Sequence, residues 1–147
     1  REEVPETLQR GDAWRHVADG MVAMGEGQPK KALESFQAYG RESGCVVCGK
    51  GMEAQAWEAM GEPDSAIAAY RVTATPGGWS ARVGPDGVLL TPSLKRMGAL
   101  QEERGDKAGA IESYTRVLEN WKRADPVLQP QVREVKERLA KLTGEPQ

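Results

Sequence analysis

The apolar positions of this chain come in short groups spaced for helices. Ala32, Leu33 and Phe36 follow Gly27; Ala66, Ile67 and Tyr70 follow Gly61; Ala110, Ile111 and Tyr114 follow Gly105. An alanine and an aromatic four residues apart share one helix face, with the branched aliphatic beside them, so each group reads as a buried stripe. A glycine just after a helical stretch takes the left-handed conformation that ends it, and Pro29 and Pro63 suit the first turn of the helix that follows. The pattern predicts helices over 12–24, 28–42, 46–60, 63–75, 92–104 and 107–123. A seventh is predicted over 126–142, with Asp125 as cap, Pro126 in the first turn and an apolar stripe of Leu128, Val132, Val135, Leu139 and Leu142.

The groups are periodic. Gly61 follows Gly27 by 34 residues, and Gly105 follows Gly61 by 44, one period with ten residues inserted. Self-similarity at this length is the mark of a helical-hairpin repeat. The insertion, 76–91, holds the turn sequence Gly-Pro-Asp-Gly at 84–87 and is expected as a loop or short hairpin. Residues 1–11 read as a charged linker and 143–147 as a tail. The opening Arg suggests a processed protein or a piece of a larger one.

On these residues the chain resembles the tetratricopeptide repeat family, whose unit is a 34-residue antiparallel helix pair. The resemblance implies an all-α solenoid, one domain over 12–142 with repeats at 12–44, 45–75 and 92–124 and a capping helix at 126–142. The family's first-helix signature is approximated by Leu94, Met97, Gly98 and Gln101 in repeat three. Ala54 and Trp57 fit it in repeat two, where Lys50 and Glu53 depart from it. Trp14, Val17, Ala18 and Met21 fit in repeat one only if the turn at "GEGQ" is two residues longer. The insertion and the ending "LENWKRADPVLQPQVREVKERLAKL" further resemble the carboxy-terminal repeat region of bacterial eukaryote-like serine/threonine kinases and related regulators.

The repeat family binds extended peptides or partner helices in a groove lined by first helices. Carried over, its inward positions are Arg15, Asp19, Gln55, Glu58, Lys95 and Glu102. Arg15 and Asp19 do not match the Lys and Asn of a carboxylate clamp, so a grip on a peptide's carboxy terminus is not expected. No kinase role is assignable either, because the chain has no Gly-rich phosphate loop, H-R-D segment or D-F-G site.

Charge narrows the partner. With 20 basic and 22 acidic residues intermixed and a net charge of -2, nucleic acid is not the expected ligand. No apolar run is long enough for direct membrane insertion.

Cys45 and Cys48 are the only pair that invites chemistry. A Cys-x-x-Cys enzyme of the thioredoxin type needs the motif after a strand, and this pattern is helical throughout. Ordinary buried or semi-buried thiols are the leading reading, with a local disulfide at the inter-repeat turn and an oxidising, extracytoplasmic compartment as the alternative. Two Cys and His16 are too few for structural zinc, and Gly49 stands where covalent haem would need His. His16 has no neighbouring nucleophile and is expected at the surface or in a structural hydrogen bond. No catalytic residue, metal ligand or cofactor is assigned.

The expectation is a noncatalytic protein-interaction or scaffold module that takes a protein or peptide partner, with self-association left open. A sensory or regulatory segment of a larger bacterial signalling protein is the first alternative, and a thiol redox protein using Cys45 and Cys48 the second.

Overall fold

The computed structural model describes residues 6–45, 47–75 and 85–144, with side chains from Ala13 onward in the first helix and from Leu90 onward in the fifth. The described residues are helical, with no strand among them. In chain order the helices are α1 Glu6–Gly25, α2 Pro29–Glu42, α3 Lys50–Ala59, α4 Pro63–Ala74, α5 Pro85–Glu103, α6 Lys107–Asn120 and α7 Gln129–Thr143. The single domain expected over 12–142 divides into two compact units, Arg1–Gly87 and Val88–Gln147.

Three turns carry the pattern, and they are alike. Gly27, Gly61 and Gly105 have φ of 70°, 75° and 77°, values open to glycine without a Cβ penalty. Each donates its amide to the carbonyl three residues back (Met24, Glu58, Glu102), while the next residue reaches five back (Ala23, Trp57, Gln101). These paired bonds are the Schellman stop, and they satisfy carbonyls the helix end would leave open. Gln28, Glu62 and Asp106 then accept from Ala32, Ala66 and Ala110 to start the next helix. Only Asp106 adds a side-chain cap, Oδ1 accepting from the Gly109 amide at 2.9 Å.

The identity of the turns corrects the reading of α1. No longer turn exists at "GEGQ", so Gly20, Ala54 and Gly98 stand at one equivalent position, seven residues before each turn glycine. A Cβ built on Gly20 would lie 2.3 Å from the Phe36 ring, and one on Gly98 would lie 2.7 Å from the Tyr114 ring. The aromatic ring of each second helix thus lies against a small residue of the first. Among the residues of α1 whose side chains are described, Ala13, Gly20 and Ala23 are buried. Trp14 and Met21, expected as signature core residues, are 49% and 52% exposed.

In the first unit α1 packs on α2, α2 on α3 and α3 on α4. Ala32, Phe36, Ala54, Ala66 and Tyr70 are buried there. Burying one such aromatic contributes about 1.5–3 kcal/mol. α3 begins at Lys50 rather than at 46. The loop before it is closed by a disulfide between Cys45 and Cys48, Cα atoms 5.2 Å apart, and passes through Gly44 and Gly49 at φ of 66° and 84°. Residues in that conformation cannot extend a right-handed helix.

In the second unit Leu94, Met97, Leu100, Tyr114, Val117, Val132 and Val135 are buried, and α7 packs on α6. Of the segment expected as a loop or hairpin, 76–84 lies outside the described residues and 85–91 is helical, with Pro92 inside the same helix. Pro85 and Asp86 suit a helix's first turn as well as a β-turn. α1 likewise reaches back to Glu6, into the expected linker.

The terminal helix is also modified. Residues Pro126–Leu128 form a 3-10 turn in which the Gln129 amide donates to the Pro126 carbonyl, and Asp125 makes no side-chain cap bond. Pro130 has no amide to give that carbonyl, so α-helical bonding cannot start until α7.

Candidate functional site

The six residues expected in a groove separate into two sets. Arg15, Asp19 and Gln55 are exposed, the first two on α1 and the third on α3. Glu58, Lys95 and Glu102 are half-buried and bonded within their own unit.

Glu58 accepts a hydrogen bond from the Tyr70 hydroxyl at 2.5 Å, and Glu102 accepts from the Tyr114 hydroxyl at 2.9 Å. In both hairpins a first-helix carboxylate ties down the aromatic of the second helix. The equivalent pair in the first hairpin is Met24 and Phe36, apolar on both sides. Reading the aromatic position as purely apolar core missed this latch, although Glu and Tyr recur twelve residues apart in two of the three hairpins.

The third hairpin extends the latch into a chain of charges. Arg138 of α7 reaches Glu102 at 3.0 Å and Glu134 at 3.4 Å, and Lys95 reaches Glu134 at 2.6 Å and Gln131 at 3.3 Å. The Lys95 hydrogen bond holds the Glu134 carboxyl below its ordinary pKa. Burial, with the hydrogen bond to Glu102, pushes the Tyr114 phenol up to about 12. A cleft of about 310 Å³ lies beside the chain, lined by Pro92, Lys95, Arg96, Ala99, Gln131, Glu134 and Arg138. On the side of α5 that meets α6, Gln101, 4% exposed, turns its amide nitrogen to Ser113 Oγ at 2.7 Å and the Gly109 carbonyl at 3.1 Å.

Around the disulfide, Cys45 and Cys48 are half-buried, and the reading of both as ordinary thiols is corrected: neither is free. The loop sits close over α2, where a Cβ on Gly40 would lie 3.4 Å from the Cys48 carbonyl oxygen. Glu53, 4% exposed, pairs with Lys50 at 2.7 Å and lines a neighbouring cleft of about 470 Å³ with Gln37, Gly40, Arg41 and Gly44. His16 Nε2 lies 2.9 Å from Glu42 Oε1, joining α1 to the end of α2. Among the described residues no group of three or more His, Cys, Asp or Glu could hold a metal ion, and no helix is long and apolar enough to cross a membrane.

On α1, Met21, Val22 at 59%, Arg15 and Asp19 are exposed, and the half-exposed Trp14 ring lies 5.2 Å from the Tyr39 ring of α2. No protein-family model matches this sequence, and no curated protein matches it.

Proposed function

We propose that this chain is a noncatalytic protein-interaction module of the tetratricopeptide type, taking a peptide or protein partner on the outer faces of its first helices. The observation that carries the reading is the contrast along α1. Among the residues whose side chains are described, its buried positions are the small Ala13, Gly20 and Ala23, while Met21 and Val22 are exposed and Trp14, half exposed, rests against the Tyr39 ring at 5.2 Å. Exposed aromatic and long apolar side chains with a charged rim are the usual composition of an interaction hot spot. The recurrence of one helix–turn–helix geometry at Gly27, Gly61 and Gly105 supports the repeat assignment.

Glu58, Lys95 and Glu102, half-buried and bonded inside their own unit, drop out of the partner-contact set. Arg15, Asp19 and Gln55 stay in it for their exposure alone. The Cys45–Cys48 disulfide supports an oxidising, extracytoplasmic compartment.

The test is affinity for the native protein that copurifies with the chain, measured on wild type and on Gln55→Arg, which alters an exposed position. A fall of about tenfold or more at unchanged helical content supports the first-helix face as the contact. Unchanged affinity in Gln55→Arg and Arg15→Glu alike removes it.

A further inference from the structure

We propose that the cleft between the end of α2 and the start of α3 binds a free α-amino acid, whose ammonium group donates to Glu53 and whose carboxylate pairs with Arg41. The site lies within the first unit and does not depend on the partner-binding reading.

Glu53 supplies the first observation. The residue is 4% exposed, and Lys50 donates to its Oε2 at 2.7 Å. Oε1 accepts no hydrogen bond from any described residue. A carboxylate oxygen held out of water without a donor is costly, so a donor brought by a ligand is favoured there. Glu53 and Lys50 both line the cleft of about 470 Å³, with Gln37, Gly40, Arg41 and Gly44 around them. That volume accommodates a small metabolite held by a few polar groups. Arg41 and Gly44 are exposed and put the mouth of the cleft in solvent. The Cys45–Cys48 disulfide closes the loop that begins at its rim.

The charges around the cleft decide the class of ligand. Lys50 already neutralises Glu53, and Arg41, in the last turn of α2, forms no ion pair with a described residue. The lining therefore carries a net positive charge, from Arg41 and Lys50 against Glu53. A simple amine would satisfy Oε1 but be repelled by that surplus. A simple carboxylate would pair with Arg41 but leave Oε1 without a donor. A zwitterion answers both, and Gln37 offers a donor and an acceptor to the ligand's own side chain. Lys50 and Glu53 also border a cleft of about 330 Å³ on the α4 side. Its other lining residues, Trp57, Ser65, Ala68, Ala69 and Val72, carry no charge to answer a carboxylate.

The test is titration calorimetry of the intact chain with each of the common amino acids in turn, and with methylamine and acetate as single-charge probes. At least one amino acid is expected to bind with a dissociation constant below about 1 mM, and about tenfold or more tighter than either single-charge probe. Arg41→Glu, at an exposed position, is expected to weaken that binding about tenfold or more, and Glu53→Gln likewise. Circular dichroism reads the fold of both variants, and Arg41→Glu carries the test by itself if Glu53→Gln loses its fold. Nitrogen-15 NMR of the wild type is expected to show ligand-dependent shifts at the Gly40, Gly44, Gly49 and Lys50 amides. No amino acid binding in that range, methylamine or acetate binding as tightly, unchanged affinity in Arg41→Glu, or shifts confined to Trp57 and residues 65–72 overturns the site.

Discussion

The Tyr114 hydroxyl donates to the Glu102 carboxylate twelve residues earlier across 2.9 Å, and Arg138 holds the same carboxylate oxygen at 3.0 Å. One contact thus ties the two helices of the third hairpin to each other and to α7. Tyr114→Phe removes the hydroxyl and leaves Glu102 with Arg138 alone. A loss of about 1–2 kcal/mol is expected in chemical denaturation. Following it with Glu102→Met, which copies the Phe36 and Met24 pair of the first hairpin, is expected to cost less than the sum of the single changes, because the two act through one bond.

The same contact makes the second unit sensitive to alkali. The Tyr114 phenol ionises near 12 in the folded chain, above its ordinary value of 10. The folded state therefore holds this proton more tightly than the unfolded state does. The associated stability is intact below pH 10 and declines as pH rises through 12. Stability measured against pH is expected to fall less steeply over that window in Tyr114→Phe than in wild type.

Gly98 lies under the Tyr114 ring, with no room for a Cβ. Gly98→Ala is expected to destabilise the chain by about 1–3 kcal/mol through overpacking, despite the better helix propensity of alanine. Ala54, which occupies the equivalent place in the second hairpin, already carries its methyl group and is fully buried. Ala54→Gly is expected to cost about 1 kcal/mol. Thermal or urea unfolding of the two variants reads both values.

Ala66 of α4, the helix packed on α3, is 0% exposed. Ala66→Leu adds volume at a closed position and is expected to cost about 1–3 kcal/mol with a reduced near-ultraviolet signal.

The turns and the second helices were legible because glycine stops, proline restarts and small-plus-aromatic stripes are local and strongly patterned. The register of α1 was not. Trp14 and Met21 look like core residues to any reading that equates size with burial, whereas the close approach of Phe36 demands glycine at position 20. The start of α5 was hidden for another reason, since Pro85 and Asp86 satisfy a β-turn and a helix start equally. The candidate contact residues were carried over from the repeat family; Arg15, Asp19 and Gln55 are exposed, but with Gly20 in register with Ala54 the counterpart of Gln55 on α1 is Met21 rather than Arg15 or Asp19. Glu58, Glu102 and Lys95 were expected there too, but their partners Tyr70, Tyr114, Arg138 and Glu134 lie on other helices, and such tertiary pairings leave little trace in a single sequence.

The Cys45–Cys48 disulfide closes a four-residue loop, for which the chain-entropy account gives about 2 kcal/mol. Mass spectrometry before and after reduction is expected to differ by two protons, and reduction to lower stability by no more than about that amount. Equal masses would return both residues to free thiols.

The central claim is that the first helices present the contact surface and the second helices hold the fold. Hydrogen–deuterium exchange on the chain, alone and with the native protein that copurifies with it, tests this most directly. The account predicts added protection in α1 and α3, around Arg15, Asp19 and Gln55. Protection confined to α2, α4 and α6 would contradict it.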